Sequence, residues 1–239
     1  MKSDAGTVRL ARDILRSSRS ASLATLADGA PFASLVTPAT SCGLDLLMLV
    51  SGLSRHARHL RSDPRCALLV AGSSEMAGSS GAANPQTIPR LTVTGTAEPV
   101  PPDDPHGSLL RDRWVRIHPY GALYAGFGDF TLWRLRPQAI HMVAGFGRTH
   151  ALDGRMVQPD IDLAEQEAPL LQTARARWPE AEIVAIDADG YDTGPAPSPD
   201  PDGTAVTQRI AFDQPIASPD AALAALDDIL SKDGATRAG

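Results

Sequence analysis

Hydrophobic positions recur with two periods along the first 145 residues. Over residues 4–18, Val8, Ala11, Ile14, Leu15 and Ser18 fall at helical spacing with arginines on the other faces, which predicts an amphipathic helix. Residues 20–27 then alternate small and apolar side chains. Asp28-Gly29 follows as a two-residue hairpin signal, and residues 32–37 form the returning strand, closed by Pro38. Residues 44–51 predict a third strand. Residues 54–62 predict a short helix stopped at Asp63-Pro64, because the residue before proline resists helical geometry. Further strands are expected at 66–71, 90–98, 129–135 and 139–143, and a helix at 105–117 with Leu109, Leu110, Trp114 and Ile117 on one stripe. Residues 72–89, rich in Gly, Ser, Ala and Asn, read as a loop.

Six or seven strands broken by short helices predict a small barrel rather than a parallel sheet, and no G-x-G-x-x-G turn supports a dinucleotide fold. After Gly154 the texture changes. A helix over 162–178, strands at 183–187 and 205–212, a polar Pro/Asp-rich stretch at 194–203 and a helix over 218–230 capped by Ser218 predict an α+β unit. The expected division is 1–150 and 151–239.

Charge follows the same division. Residues 1–150 hold 16 Lys/Arg against 11 Asp/Glu, and residues 151–239 hold 6 against 17. The basic excess is too small for a nucleic-acid stripe and suits one small anionic ligand. The longest apolar run, 44–50, contains Asp45 and falls far short of the ~20 residues of a membrane helix. Arg9, Arg12, Arg16 and Arg19 interrupt the place where a secretory apolar core would sit, so a cytoplasmic protein without a membrane partner is expected. Cys42 and Cys66 have neither disulfide-framework nor metal spacing and read as inert packing.

The densest chemistry lies at Ser51-Gly52-Leu53-Ser54-Arg55-His56-Ala57-Arg58-His59. A helix starting near Ser54 would present free amides, a positive dipole end and a hydroxyl at one point, and Arg55, Arg58 and the two imidazoles, His56 and His59, added there give a candidate phosphate site. Charge runs of this kind also occur as solvated helix faces. Asp129, between Gly128 and Phe130, is either a polar group near a cleft or a strand-start residue. Asp187-Ala188-Asp189-Gly190 lacks the later ligands of a calcium loop and reads as a β-turn. His118-Pro119 reads as a helix stop, and His141 as a structural strand residue.

Ser54-Arg55-His56, His59-Leu60, Asp63-Pro64 and the later RLTVTG run from Arg90 resemble, in order and spacing, the pyridoxamine 5′-phosphate oxidase-related split barrels that bind FMN. The LYAGFGDF segment at 123–130, the GFGRTH segment at 145–150 and the acidic C-terminal unit resemble their haem-utilisation (HugZ-like) branch. The resemblance implies an α+β fold: a six- to seven-stranded Greek-key split barrel plus a C-terminal α+β domain. It also implies a homodimer with FMN in the clefts between subunits, acting on a small molecule as an oxidoreductase. Ser34 and Thr37 then flank the flavin, Ser51, Ser54, Arg55, His56 and Arg58 hold its phosphate, and Arg90 reaches in from the partner. Here His56 stands where the family has lysine, which makes the charge at that point conditional near pH 7. The substrate motif of true pyridoxamine 5′-phosphate oxidases is missing, which argues against vitamin B6 oxidation. The alternative implied by the haem branch is a haem-binding or haem-degrading protein using the same cleft. His150, beyond a Gly-Phe-Gly hinge, is then the candidate iron ligand, or otherwise a loop histidine.

Overall fold

A computed structural model describes residues 5–73, 76, 84–145, 147–195 and 207–237. Helix α1 (Ala5–Ser17) buries Ala11, Ile14 and Leu15 against the barrel. Strands β1 (Ala21–Ala27) and β2 (Ala30–Val36) form the expected hairpin. Asp28 (φ 51°) and Gly29 (φ 82°) both take the left-handed conformation that a two-residue turn between twisted strands requires. Then come β3 (Pro38–Thr40), β4 (Leu46–Ser51), α2 (Arg55–Ser62), β5 (Arg65–Ala71), β6 (Arg90–Pro99), α3 (Gly107–Ile117), the short α4 (Ala122–Ala125), β7 (Phe130–Val143) and β8 (Thr149–Asp153). The ladder order is β2-β1-β5-β6-β7-β4-β3, with β8 added on β7. Only Thr37 separates β2 from β3, so the two ends of the ladder are halves of one bent strand and the sheet curls round on itself. Leu23, Leu46, Met48, Leu68, Leu91, Val93, Trp133 and Leu135 fill its interior. This is the split barrel that the resemblance implies.

Local details differ from the sequence reading. Pro38 bends the strand and opens its second half rather than ending it. The two strands expected at 129–135 and 139–143 are one strand, β7, which runs through Pro137. Proline offers no N–H to the ladder, and the register shifts between Thr94 and Gly95, opposite Pro137. A Cβ on Gly95 would lie 2.3 Å from the Arg136 carbonyl, so glycine is what lets the backbones close at this bulge. Strand β8 takes in His150 and extends the first sheet to Asp153, so a division after residue 150 falls inside a strand.

The second sheet, β11-β10-β9, consists of β9 (Ile183–Asp187), β10 (Gly190–Pro195) and β11 (Thr207–Ala211). Helices α5 (Glu167–Arg177) and α6 (Pro219–Arg237) flank it around Leu170, Ile183, Ile186, Tyr191, Phe212 and Leu226. The turn read at 187–190 joins β9 to β10, a strand the sequence reading omitted. Helix α5 begins later than expected, at Glu167. Most of the polar stretch at 194–203, and half of the loop at 72–89, lies outside the described residues.

The charge asymmetry acquires a physical meaning at the seam between the two sheets. Arg16 and Arg12 of α1 reach the Asp189 carboxylate at 3.1 and 3.3 Å, and Arg113 of α3 reaches Asp187 at 2.8 Å. Asp187 also takes Arg209 at 2.6 Å, and Asp192 takes Arg19 and Arg209. Glu167 pairs with Arg113 and Arg116. These four carboxylates are buried. Much of the N-terminal basic excess is therefore spent on the C-terminal acids rather than on a ligand.

Candidate functional site

Strand β4 ends at Ser51, and the chain turns through Gly52 and Leu53 into α2. Ser54 takes an extended backbone and caps the helix. Its Oγ accepts the Ala57 amide at 3.2 Å and donates to the Ser51 carbonyl at 2.8 Å. That hydroxyl proton is committed to the turn, so the groups left for an anion are the Arg55 and His56 amides, which helix geometry leaves without intrahelical acceptors, and the guanidiniums. Ala57 and Leu60 bury one face of α2. His59 fixes its far end: Nδ1 lies 3.0 Å from the Thr25 hydroxyl, and the ring meets Phe32 edge-on at 5.0 Å.

Arg55 and Arg58 are exposed. Among the described side chains they are the arginines with neither a hydrogen bond nor an ion pair; Arg61, Arg111, Arg148 and Arg175 at least hold backbone carbonyls. Burial, and then the neighbouring His59, push the His56 imidazole below its ordinary value.

Asp129, on the segment leading into β7, braces this loop. Its carboxylate accepts the Ser51 hydroxyl at 2.7 Å, its carbonyl accepts the Gly52 amide at 2.7 Å, and Ser51 Oγ in turn accepts the Leu53 amide at 3.2 Å. Ser51 therefore shapes the loop. Sequence reasoning missed this role of Asp129; the only signal was an acidic residue set between a glycine and a strand start.

The structure thus brings Ser51, Ser54, Arg55, His56 and Arg58 together around one loop. The other candidates stand on separate elements. Ser34 lies opposite the buried Leu23 and so points inward, with its hydroxyl buried and unpartnered. The Thr37 carbonyl accepts the Trp114 indole N–H at 3.0 Å, and its hydroxyl bonds the Tyr120 phenol. Arg90 donates to the Gln86 and Ile88 carbonyls at 3.3 and 3.2 Å. His150 is held in β8 opposite Met142, not on a free hinge. Burial pushes the Cys42 and Cys66 thiols up to about 12 and about 11, which suits packing rather than nucleophilic chemistry.

The pyridoxamine 5′-phosphate oxidase family profile matches residues 9–144, which include the barrel through β7 and the whole α2 site. The chain belongs to this family. Among family-like structures, a protein of unknown function from Agrobacterium tumefaciens superposes with a TM-score of 0.74 at 23% identity, over 95% of this chain and 96% of that one. It carries the fold across both sheets. A haem-binding protein from Mycobacterium smegmatis has a TM-score of 0.58 at 25% identity, covering 97% of this chain and 98% of its own. A non-canonical haem oxygenase of Arabidopsis thaliana chloroplasts is 27% identical over 148 residues, 62% of this chain; the match spans 42% of that relative's length. Among the described residues no helix is long and apolar enough to cross a membrane.

Proposed function

We propose that this family member binds an anionic, ring-bearing cofactor, with the start of α2 holding the cofactor's anionic group. The observation that carries the reading is the pair Arg55 and Arg58. In a chain that pairs its other described arginines internally, these two are left to solvent beside a capped helix start. FMN fits the free amides and guanidiniums through its phosphate, and its flavin would supply the redox chemistry of an oxidoreductase when bound. Haem is the second reading. Its carboxylates would meet the same amides and guanidiniums, and the likeness to the two haem proteins supports this reading. In either case the chain's own part is to anchor the anion and to brace the loop through Asp129.

We further propose a homodimer. Leu35, Ser22 and Leu69 lie abreast on β2, β1 and β5 and are exposed, with Leu35 at 73%. A self-complementary patch of this kind would generate two equivalent sites.

Absorbance titration of the purified chain with FMN and with haemin tests the assignment. We expect binding of one of them, weakened in Arg55→Ala by roughly 10- to 150-fold, as the loss of a charge-assisted pair predicts. Affinity for both ligands unchanged within about threefold would move the anion site away from α2.

A further inference from the structure

The charges in the seam between the two sheets do not balance. Six arginines, Arg12, Arg16, Arg19, Arg113, Arg116 and Arg209, face four carboxylates, Glu167, Asp187, Asp189 and Asp192, which leaves two cations over. Arg9 and Asp13 pair with each other and leave that difference unchanged. Backbone carbonyls take up much of the hydrogen bonding: Val157 from Arg12 at 2.9 Å, Cys42 from Arg16 at 2.8 Å, Ile186 from Arg113 at 3.0 Å and Val184 from Arg116 at 2.7 Å. These neutral dipoles solvate a guanidinium without cancelling its charge, and uncancelled charge held away from water is costly.

At one end of the seam lies a cavity of about 600 Å3, bounded by the end of α1, the end of β5 and strand β11. Arg19, Arg209, Ser17, Ser18, Ser20 and Gln208 line it, and no carboxylate is among its described lining residues. The two guanidiniums share Asp192, and Arg209 also bonds Asp187, which already serves Arg16 and Arg113. The Arg209 side chain is only 6% exposed, and its Nε, unlike its terminal nitrogens, has no acceptor among the described residues. The Ser17 and Ser18 hydroxyls donate to backbone carbonyls, whereas the Ser20 hydroxyl and the Gln208 amide make no bond within the described residues. Carbonyls at the end of α1 would repel an anion, but Arg19 Nη1 covers those of Arg16 and Ser18 at 2.8 and 3.3 Å. Burial pulls the Arg19 guanidinium below its ordinary value; Asp192 opposes this, and Arg209 and Arg113 add to it.

We propose that this cavity binds a small, doubly charged oxyanion of the phosphomonoester type, its anionic group received by Arg209, Ser20 and Gln208, and that the ligand ties the barrel to the second sheet. Two negative charges match the surplus of two cations. A tetrahedral oxyanion offers acceptors to donors that arrive from different elements. The volume exceeds a bare phosphate and falls in the ordinary range of small-molecule sites, so a polar organic group can lie against the serines. The site is distinct from the α2 anchor. Helix α2 leads into Arg65 at the start of β5, and the cavity lies at the other end of that strand, roughly 20 Å away at ~3.3 Å per residue.

Inorganic phosphate is the probe, with sodium chloride at the same ionic strength as the comparison, read by thermal melting and calorimetric titration of the full chain. Because the α2 start also offers donors to phosphate, each titration is repeated in Arg55→Ala. We expect phosphate to raise the melting midpoint saturably where chloride does not, and to do so equally in Arg55→Ala, since a ligand of the folded seam stabilises it. Gln208→Glu, at an exposed position, brings a carboxylate to the cavity. It should raise the midpoint without phosphate and weaken phosphate binding by roughly tenfold or more. Equal shifts with chloride would reduce the effect to screening and overturn the site. A phosphate response abolished by Arg55→Ala would belong to α2 and overturn the cavity while leaving the anchor standing. No saturable response, or one that Gln208→Glu leaves within about threefold, would overturn the cavity as well.

Discussion

Asp187→Ala is expected to destabilise the protein by roughly 3–5 kcal/mol, the range for breaking a buried ion pair by removing one partner. Asp187 is fully buried, and its two oxygens are shared among Arg16 at 3.4 Å, Arg113 at 2.8 Å and Arg209 at 2.6 Å. Burial alone would raise its carboxyl, but Arg16, Arg209 and Arg113 together hold it well below the usual carboxylate range. Truncation leaves these guanidiniums with only part of their compensation inside the seam. Urea unfolding should show the loss as a lower midpoint, with Asp160→Ala, at an exposed position, as the control. A change of less than about 1 kcal/mol would mean that water or rearranged acids satisfy the arginines, and that the seam does not bind the second sheet to the barrel as described.

His118 gives the second large effect, through pH. Its ring is buried between Trp114 and Tyr120, with Nε2 2.9 Å from the Pro38 carbonyl and Nδ1 3.2 Å from the Tyr120 hydroxyl. The carbonyl must receive an N–H, so the neutral tautomer with Nε2 protonated satisfies both contacts. Burial pushes its pKa down to about 4; the Pro38 carbonyl opposes this and Arg19 adds to it. The folded state thus refuses a proton that the unfolded chain accepts near 6.5. Stability from this group is complete above 6.5 and is lost as pH falls toward 4, a change of roughly 3 kcal/mol across that window. His118→Asn, which keeps a donor for Pro38, should flatten the dependence of the unfolding midpoint between pH 4 and 6.5. An unchanged slope in the variant would assign the acid sensitivity to other groups.

What the sequence disclosed was local. The β1–β2 hairpin, the start of α2 near Ser54 and the α2 stop were legible because turn and breaker chemistry sit within a few residues of the structure they determine. The acidic turn at 187–190 was legible as a turn for the same reason. Its ionic role was not, because Arg113 lies 74 residues from Asp187 and Arg16 lies 173 from Asp189. Strand β7 was split in the reading because Pro137 is a local breaker, whereas the glycine that lets the β7 bulge beside it close, Gly95, belongs to another strand. Strand β10 escaped notice because Gly190, Asp192 and Gly194 disfavour a strand locally, and tertiary pairing with β9 and β11 overrides that preference. At the candidate site, Arg55 and Arg58 were legible from charge at a helix start. The brace from Asp129 was hidden by the 78 residues that separate it from Ser51.

Amide NMR of the isotopically labelled full chain, titrated with FMN and separately with the diamagnetic gallium protoporphyrin IX, tests the placement of the cofactor anchor most directly. The account predicts that the Arg55, His56, Ala57 and Arg58 amides shift as a group with the ligand that binds, and that Arg55→Ala abolishes those shifts at the same ligand concentration. Saturable shifts confined to other elements, with residues 54–58 unmoved, would contradict it.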